Sequence, residues 1–207
     1  MKLPLRFGIA CAVALATAQA AAQANDIRID ATAPAAAVAR HFGWLDAEVA
    51  ARGVTVQWVQ YEAGGGQLDF TGADGAAALK ARAAGVAVKA VYVLWRGSAG
   101  DDQYLLVSEA FLAQRPEQAQ AVIAAFERAR KWIAGNPEHA ARILSPGATA
   151  RNLSGSRPGP AQLVALKFVA QGLGLEANLA AQLLDDSLVR AAIVGAARLP
   201  GEGGVGR

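Results

Sequence analysis

Residues 67–96, QLDFTGADGAAALKARAAGVAVKAVYVLWR, place apolar and helix-forming segments in an order that few folds accept. Leu68 and Phe70 lie in a short apolar segment, Gly72 and Gly75 mark a turn, residues 76–84 are an alanine-rich helical run, and Gly85 precedes an apolar run over 86–95. The pattern predicts strand, turn, helix and strand. From Val88 to Leu94 the run is almost continuously apolar, which suits a strand covered on both faces, and such strands belong to parallel sheets flanked by helices. The unit is therefore expected to be a right-handed βαβ crossover with its two strands as parallel neighbours.

Thr71, Gly72, Ala73, Asp74 and Gly75 fall where the carboxyl end of a strand meets the first turn of a helix. Ligands of open α/β sheets bind at such places. Unpaired amides and the positive end of the helix dipole attract an anion there. The plainer reading is that Thr71 or Asp74 caps the helix.

The 207 residues suffice for one good core or two small ones, and 54% hydrophobic with 18% charged is a globular composition. Residues 1–24 are expected to be a secretory signal peptide. Lys2 and Arg6 form its charged end, residues 7–16 its apolar stretch, and Ala18-Gln19-Ala20 and Ala22-Gln23-Ala24 fit a small-x-small cleavage pattern. That apolar stretch is too short to span a bilayer as a permanent helix. The mature protein is thus expected to be soluble and exported to the periplasm. Cys11, the only cysteine, lies within the leader, so disulfide and thiol chemistry are excluded from the mature chain. Removing Lys2 and Arg6 leaves the basic residues nearly matched by 17 acidic ones. No dense basic patch with interleaved aromatics points to nucleic acid.

Taken in order, Ile27-Arg28-Ile29-Asp30 alternates as a first strand, and Ala31-Thr32-Ala33-Pro34 leads into a helix over 35–42. Gly43 interrupts it, a second helix runs over 44–52, and Gly53 ends that one. Residues 54–59 form a second strand. Only residues 61–67 separate this strand from 68–70, too few for a parallel crossover, so these strands pair otherwise than in parallel or a helix is absent. Residues 103–107 are expected to return antiparallel beside the strand ending at Trp95, with 97–102 as the turn. Ser108 can cap a short helix to Gln114. Pro116 opens the strongest helix, with Ala119, Val122, Ile123, Phe126 and Ile133 on one stripe and Glu127, Arg128, Arg130 and Lys131 elsewhere. A shorter helix follows to Leu144. Helices over 161–171, 176–184 and 187–197 come after a loop, and 201–207 is a tail.

The two histidines, His41 and His139, lie in separate helices without cysteines or clustered carboxylates, which argues against a metal site. Gly64-Gly65-Gly66 follows a strand, but it is neither a dinucleotide fingerprint nor a P-loop, because no helix opens from it. No Gly-x-Ser-x-Gly elbow occurs, and no serine matches a histidine and an acid as a triad. Catalytic residues and a cofactor are therefore not expected. Trp44, Trp58, Trp95 and Trp132 read as packing residues. Arg96 ends the strand over 86–95, beside the 71–75 turn if the strands are parallel neighbours, where it could meet an anion bidentately.

IRIDATAP, HFGWLDAEVAARGVTVQWV, GGGQLDFTGADGAAALKARA, VKAVYV and DQYLLVSEAFLAQRPE together resemble the exported solute-binding proteins of ABC importers for aliphatic sulfonates, taurine and nitrate. The resemblance covers about residues 27–144. It implies an α/β fold with two lobes whose cleft holds an oxyanion at helix N-termini, hydroxyls and strand ends. The cleft residues it implies here are Thr32, Gly65, Gly66, Thr71, Gly72, Ala73 and Arg96.

Three departures matter. Ala31-Thr32-Ala33 replaces an aromatic loop residue, the helix before LDF is reduced to Gly64-Gly65-Gly66, and residues 97–101 stand where nearly the whole second lobe belongs. The expected architecture is therefore a single periplasmic-binding-protein-like lobe over 25–147, a mostly parallel sheet with flanking helices, then a C-terminal helical part over 148–200. The function implied is a shortened, weakly binding or non-binding component for a sulfonate or related small organic anion. Its partners would be that solute and the importer's membrane permease. The alternative is a small exported interaction protein derived from one lobe. An enzyme is not expected.

Overall fold

The computed structural model describes residues 25–60, 68–96, 102–144, 158–185 and 187. Ile27 and Ile29 are fully buried while Asp26, Arg28 and Asp30 alternate with them, so β1 (Asp26–Asp30) gives one face to a core. Pro34, with its φ preset for a first helical turn, opens α1 (Pro34–His41). Gly43 at φ +62° breaks the helical run before α2 (Trp44–Ala50), a conformation that a side chain would strain. β2 (Thr55–Val59) then pairs parallel with β1. β3 (Phe70–Asp74), α3 (Gly75–Ala83), β4 (Val88–Trp95) and β5 (Gln103–Ser108) complete the sheet. α4 (Glu109–Gln114), α5 (Pro116–Gly135), α6 (Pro137–Ile143), α7 (Pro160–Gly172) and α8 (Asn178–Leu183) follow.

The sheet order is β2-β1-β3-β5-β4, with β1 parallel to both β2 and β3 and with β5 antiparallel to both β3 and β4. Four strands thus point one way and one points back, within a single sheet with helices on both faces. This is the α/β lobe expected from the sequence. β2 and β3 do not pair; they flank β1 on opposite sides and run in the same direction, so the chain must return from the carboxyl end of β2 to the amino end of β3 through residues 61–67, which lie outside the described residues. The return of residues 103–107 beside the strand ending at Trp95 is also present, with Trp95 opposite Gln103. Of the turn expected over 97–102, only Asp102 is among the described residues.

One expectation fails. The strands of the 67–96 unit lie in the same sheet and run in the same direction, but they are not neighbours. β5 is inserted between them, hydrogen-bonded to β3 on one side and β4 on the other. A tight return after Trp95 can pair with either edge of β4, and the inner edge buries the apolar Tyr104, Leu105, Leu106 and Val107 on both faces. The outer edge of β4 is met by Leu184 and Asp185, whose amide donates to the Ala90 carbonyl at 3.0 Å. That contact blunts an edge otherwise open to pairing.

Two apolar clusters sandwich the sheet. Ile27, Ile29, Phe70, Leu105 and Val107 pack under α1, α2, α5 and α6. Ala90, Val93, Tyr104 and Leu106 pack under α3, α7 and α8 through Leu79, Leu166, Ala170 and Leu183. Residues 160–183 therefore cover the second face of the sheet. The four tryptophans pack, half-buried, against the first cluster, and Phe42 stacks on Trp44 with ring centroids 4.8 Å apart.

β4 carries register shifts between Ala90 and Tyr92 and between Val93 and Trp95. A regular strand would put Tyr92 on the same face as Ala90. The bulge turns Val91 and Tyr92 together toward α5, where the Tyr92 hydroxyl donates to Glu127 Oε2 at 2.6 Å. Arg130 grips the same carboxylate through Nε at 2.9 Å and Nη2 at 2.7 Å. Glu127, expected on the polar side of its helix, is instead only 8% exposed.

Candidate functional site

β1 and β3 are adjacent and parallel, yet the helices that follow them leave on opposite faces: α1 joins the α5 side and α3 joins the α7 side. Where neighbouring strands send the chain in opposite directions, a crevice opens outside their carboxyl ends, and open α/β sheets bind ligands there. Only Ile29 and Phe70 are partners across β1 and β3, so residues 71–74 run on past the end of β1, held by β5.

Several candidate residues meet at this crevice in roles other than those expected. Thr32 is exposed in the loop after β1, but its backbone N–H donates to Asp30 Oδ1 at 2.9 Å. That amide is therefore already committed to a carboxylate. Thr71, Gly72 and Ala73 are strand residues opposite Leu106, Leu105 and Tyr104, not a turn. The turn-forming preference of this segment is overridden because β5 pairs along its whole length. At Gly72 a Cβ would meet Leu94 Cδ1 at 3.4 Å, an ordinary contact, so packing alone does not demand glycine there. Asp74 caps α3, its Oδ1 accepting from the Ala77 amide at 2.7 Å, which is the plainer of the two readings of this segment. Gly65 and Gly66 lie outside the described residues.

Arg96 does not join Thr32. It follows β4, so β5 and β3 stand between it and β1, and at about 4.8 Å per strand that is roughly 14 Å. Its charge acts instead on the buried Tyr104 phenol. Burial pushes that phenol up, the Asp102 carboxylate beside it adds to the effect, and Arg96 opposes it. Gln162 of α7, also buried, donates to Asp102 at 3.5 Å.

The charge pattern limits what the crevice can hold. Asp30 and Asp74 end β1 and β3, and Asp102 precedes β5 at the same edge. What favours an anion is the start of α1, where Pro34 occupies the first turn and Ala33 supplies no side-chain cap, so no side chain offsets the positive end of the dipole, although Ala35 and Ala36 are themselves buried. Asp30 is the residue sequence reasoning passed over. Its place at the end of the first strand, two residues before Thr32, was a readable Asx-turn signal. Among the described residues no group of three or more His, Cys, Asp or Glu could hold a metal ion, and no helix is long and apolar enough to cross a membrane.

If Asp74 is a cap, Asp74→Ala should destabilise the protein by about 1 kcal/mol while Asp74→Asn changes it by a few tenths. Urea unfolding of the two variants checks this, and equal losses would remove the cap from the account.

No protein-family model matches the chain, and no characterised protein matches it by sequence. Solved structures do match. A protein of Bordetella bronchiseptica RB50 superposes with a TM-score of 0.65 at 11% identity, over 83% of this chain and 98% of that one. That likeness shows a shared fold. The structural neighbours also include the alkanesulfonate-binding protein SsuA from Xanthomonas axonopodis pv. citri bound to MOPS, at TM-score 0.46 and 11% identity over 86% and 95% of the two chains. A further neighbour is an SsuA from Methylobacillus flagellatus KT, at TM-score 0.38 and 14% identity, over 87% of this chain and 64% of that one.

Proposed function

We propose that this protein is an exported solute-binding component of an ABC importer for aliphatic sulfonates or a related small organic anion, reduced to one lobe and its C-terminal helices. The observation that carries the reading is the switch point between the carboxyl ends of β1 and β3, beside the uncapped start of α1. It is where a ligand of such a sheet binds, and the segments that resemble sulfonate binders are the ones that build it. A binder needs no nucleophile or general base. The periplasm and a membrane permease partner follow from the leader-like segment over 1–24 and from the resemblance. The alternative, an interaction protein using a bared apolar cleft, gains little: the described residues at that edge are mainly Asp30, Asp74, Asp102, Gln103 and Arg96.

Titration of isotopically labelled protein with taurine tests the reading. Amide shifts are expected at Ala31, Ala35, Ala36 and Ala73, the residues around the crevice. Taurine-induced shifts that miss all four positions would sink it.

A further inference from the structure

At the amino end of the sheet, opposite to the crevice, lies a pocket of about 460 Å³ into which Arg28, Arg115, Asp26, Asp69, Gln57 and Gln114 contribute. Asp26 and Arg28 alternate with the buried Ile27 and Ile29 and so share the face of β1 turned away from α1 and α5. Most polar groups of this pocket are already committed. Asp26 accepts from Thr55 Oγ1 and from Gln57 Nε2, each at 2.5 Å. Asp69 Oδ2 takes the backbone N–H of Arg28 at 2.8 Å, and Arg115 Nη1 donates to the Asp26 carbonyl at 3.0 Å. Ser108 Oγ caps α4, accepting from the Phe111 amide at 3.1 Å.

The Arg28 guanidinium is the exception. Its Nε is buried without a hydrogen-bond partner, and no ion pair with Asp26, Asp69 or any other described carboxylate forms within 4.0 Å. A buried donor on a charged group left unpaired is unfavourable by more than an ordinary hydrogen bond is worth. That Nε has essentially no accessible surface, so a guest in the pocket would meet the outer guanidinium nitrogens of Arg28, which have no partner among the described residues either. The guanidinium fork matches a two-oxygen acceptor bidentately. The second arginine adds attraction, while the two carboxylates nearby disfavour a doubly charged guest.

We propose that this pocket is a second site, distinct from the β1–β3 crevice, which takes a small organic monoanion through a carboxylate or sulfonate group seated on Arg28. The site does not depend on the sulfonate-importer reading, since it lies at the other end of the sheet.

The full chain, labelled so that the Arg28 Nε–H is resolved in an NMR spectrum, is titrated with acetate, methanesulfonate and inorganic phosphate, against sodium chloride at matched ionic strength. The expected result is a saturable shift of the Arg28 Nε–H with acetate or methanesulfonate, at least tenfold weaker with phosphate above its second pKa, and absent with chloride. Arg28→Gln should abolish saturable shifts at the flanking Gln57 and Gln114 side-chain amides. Asp74→Asn, at the opposite end, should leave the titration unchanged. A linear, unsaturated response at Arg28, or shifts of equal size with chloride, overturns the proposal. The wild-type measurement decides it even if the Arg28 variant does not fold.

Discussion

Glu127→Ala should be among the most damaging single substitutions in this chain. The carboxylate is buried, accepts from Tyr92 and is held bidentately by Arg130, with Lys131 Nζ 3.8 Å away. Removing one member of a buried charged network leaves the others without a partner and typically costs about 3–5 kcal/mol. For a chain of this length each kcal/mol is worth roughly 2–4 °C, so Tm should fall by roughly 6–20 °C. Tyr92→Phe loses only one bond to a charged acceptor and should cost about 1.5–3 kcal/mol. Replacing both, Tyr92→Phe with Glu127→Met, should recover part of the loss, because no buried hydroxyl is then left unpaired, while Arg130, a quarter exposed, can turn to water.

The same network predicts a pH dependence. Burial by itself would raise the Glu127 pKa, but the hydrogen bonds from Arg130 and Tyr92 and the neighbouring cations outweigh it and hold the carboxyl below its usual value. A carboxyl depressed in the folded state stabilises above its unfolded pKa, about 4.3, and loses that contribution as pH falls through the folded value. The stability gap between wild type and Glu127→Gln should therefore be widest near neutral pH and close progressively below about pH 4. Urea unfolding across pH measures it. A Glu127→Ala protein within about 1 kcal/mol of wild type at pH 7 would show the network to be incidental.

How far the chain was legible follows from where local and distant forces agree. Pro34, Gly43, Ser108 and Pro116 mark helix boundaries through their own backbone or side-chain chemistry, and those boundaries lie close to where they were read. The strand β4 was legible as covered on both faces because its apolar run has no polar alternation to satisfy. Its neighbour was not, since either edge of β4 satisfies a local pattern and only burial of β5 on both faces chooses between them. Residues 71–74 were misread for the same reason: glycine, alanine and aspartate favour a turn, and pairing with β5 makes them a strand. Glu127 looked solvent-facing because helix periodicity says nothing about a bulge in a distant strand. The clue was Tyr92, a phenol inside an apolar strand that needs an acceptor.

Sulfonate binding by the isolated protein should be poor, with no saturable signal for taurine, ethanesulfonate or nitrate below about millimolar. A two-lobed binder encloses its anion, so about half of its donors, and most of the exclusion of water, come from a lobe that this chain is inferred to lack. A hydrogen bond to a charged group contributes about 1.5–3 kcal/mol net, and 1.4 kcal/mol is about a tenfold change in affinity. Two or three such bonds lost weaken binding by roughly two to six orders of magnitude. The remaining crevice makes matters worse. The Thr32 amide is spent on Asp30, Asp30 and Asp74 place carboxylates at its rim, and Arg96 stands beyond two further strands. What attraction is left comes from the uncapped start of α1, worth at most about 2 kcal/mol even when partly buried. Taurine, whose ammonium group can approach the two carboxylates, should bind better than ethanesulfonate, which has none. Equilibrium calorimetry on the monomer decides the matter: a micromolar dissociation constant for any of the three ligands would mean that one lobe supplies a complete site.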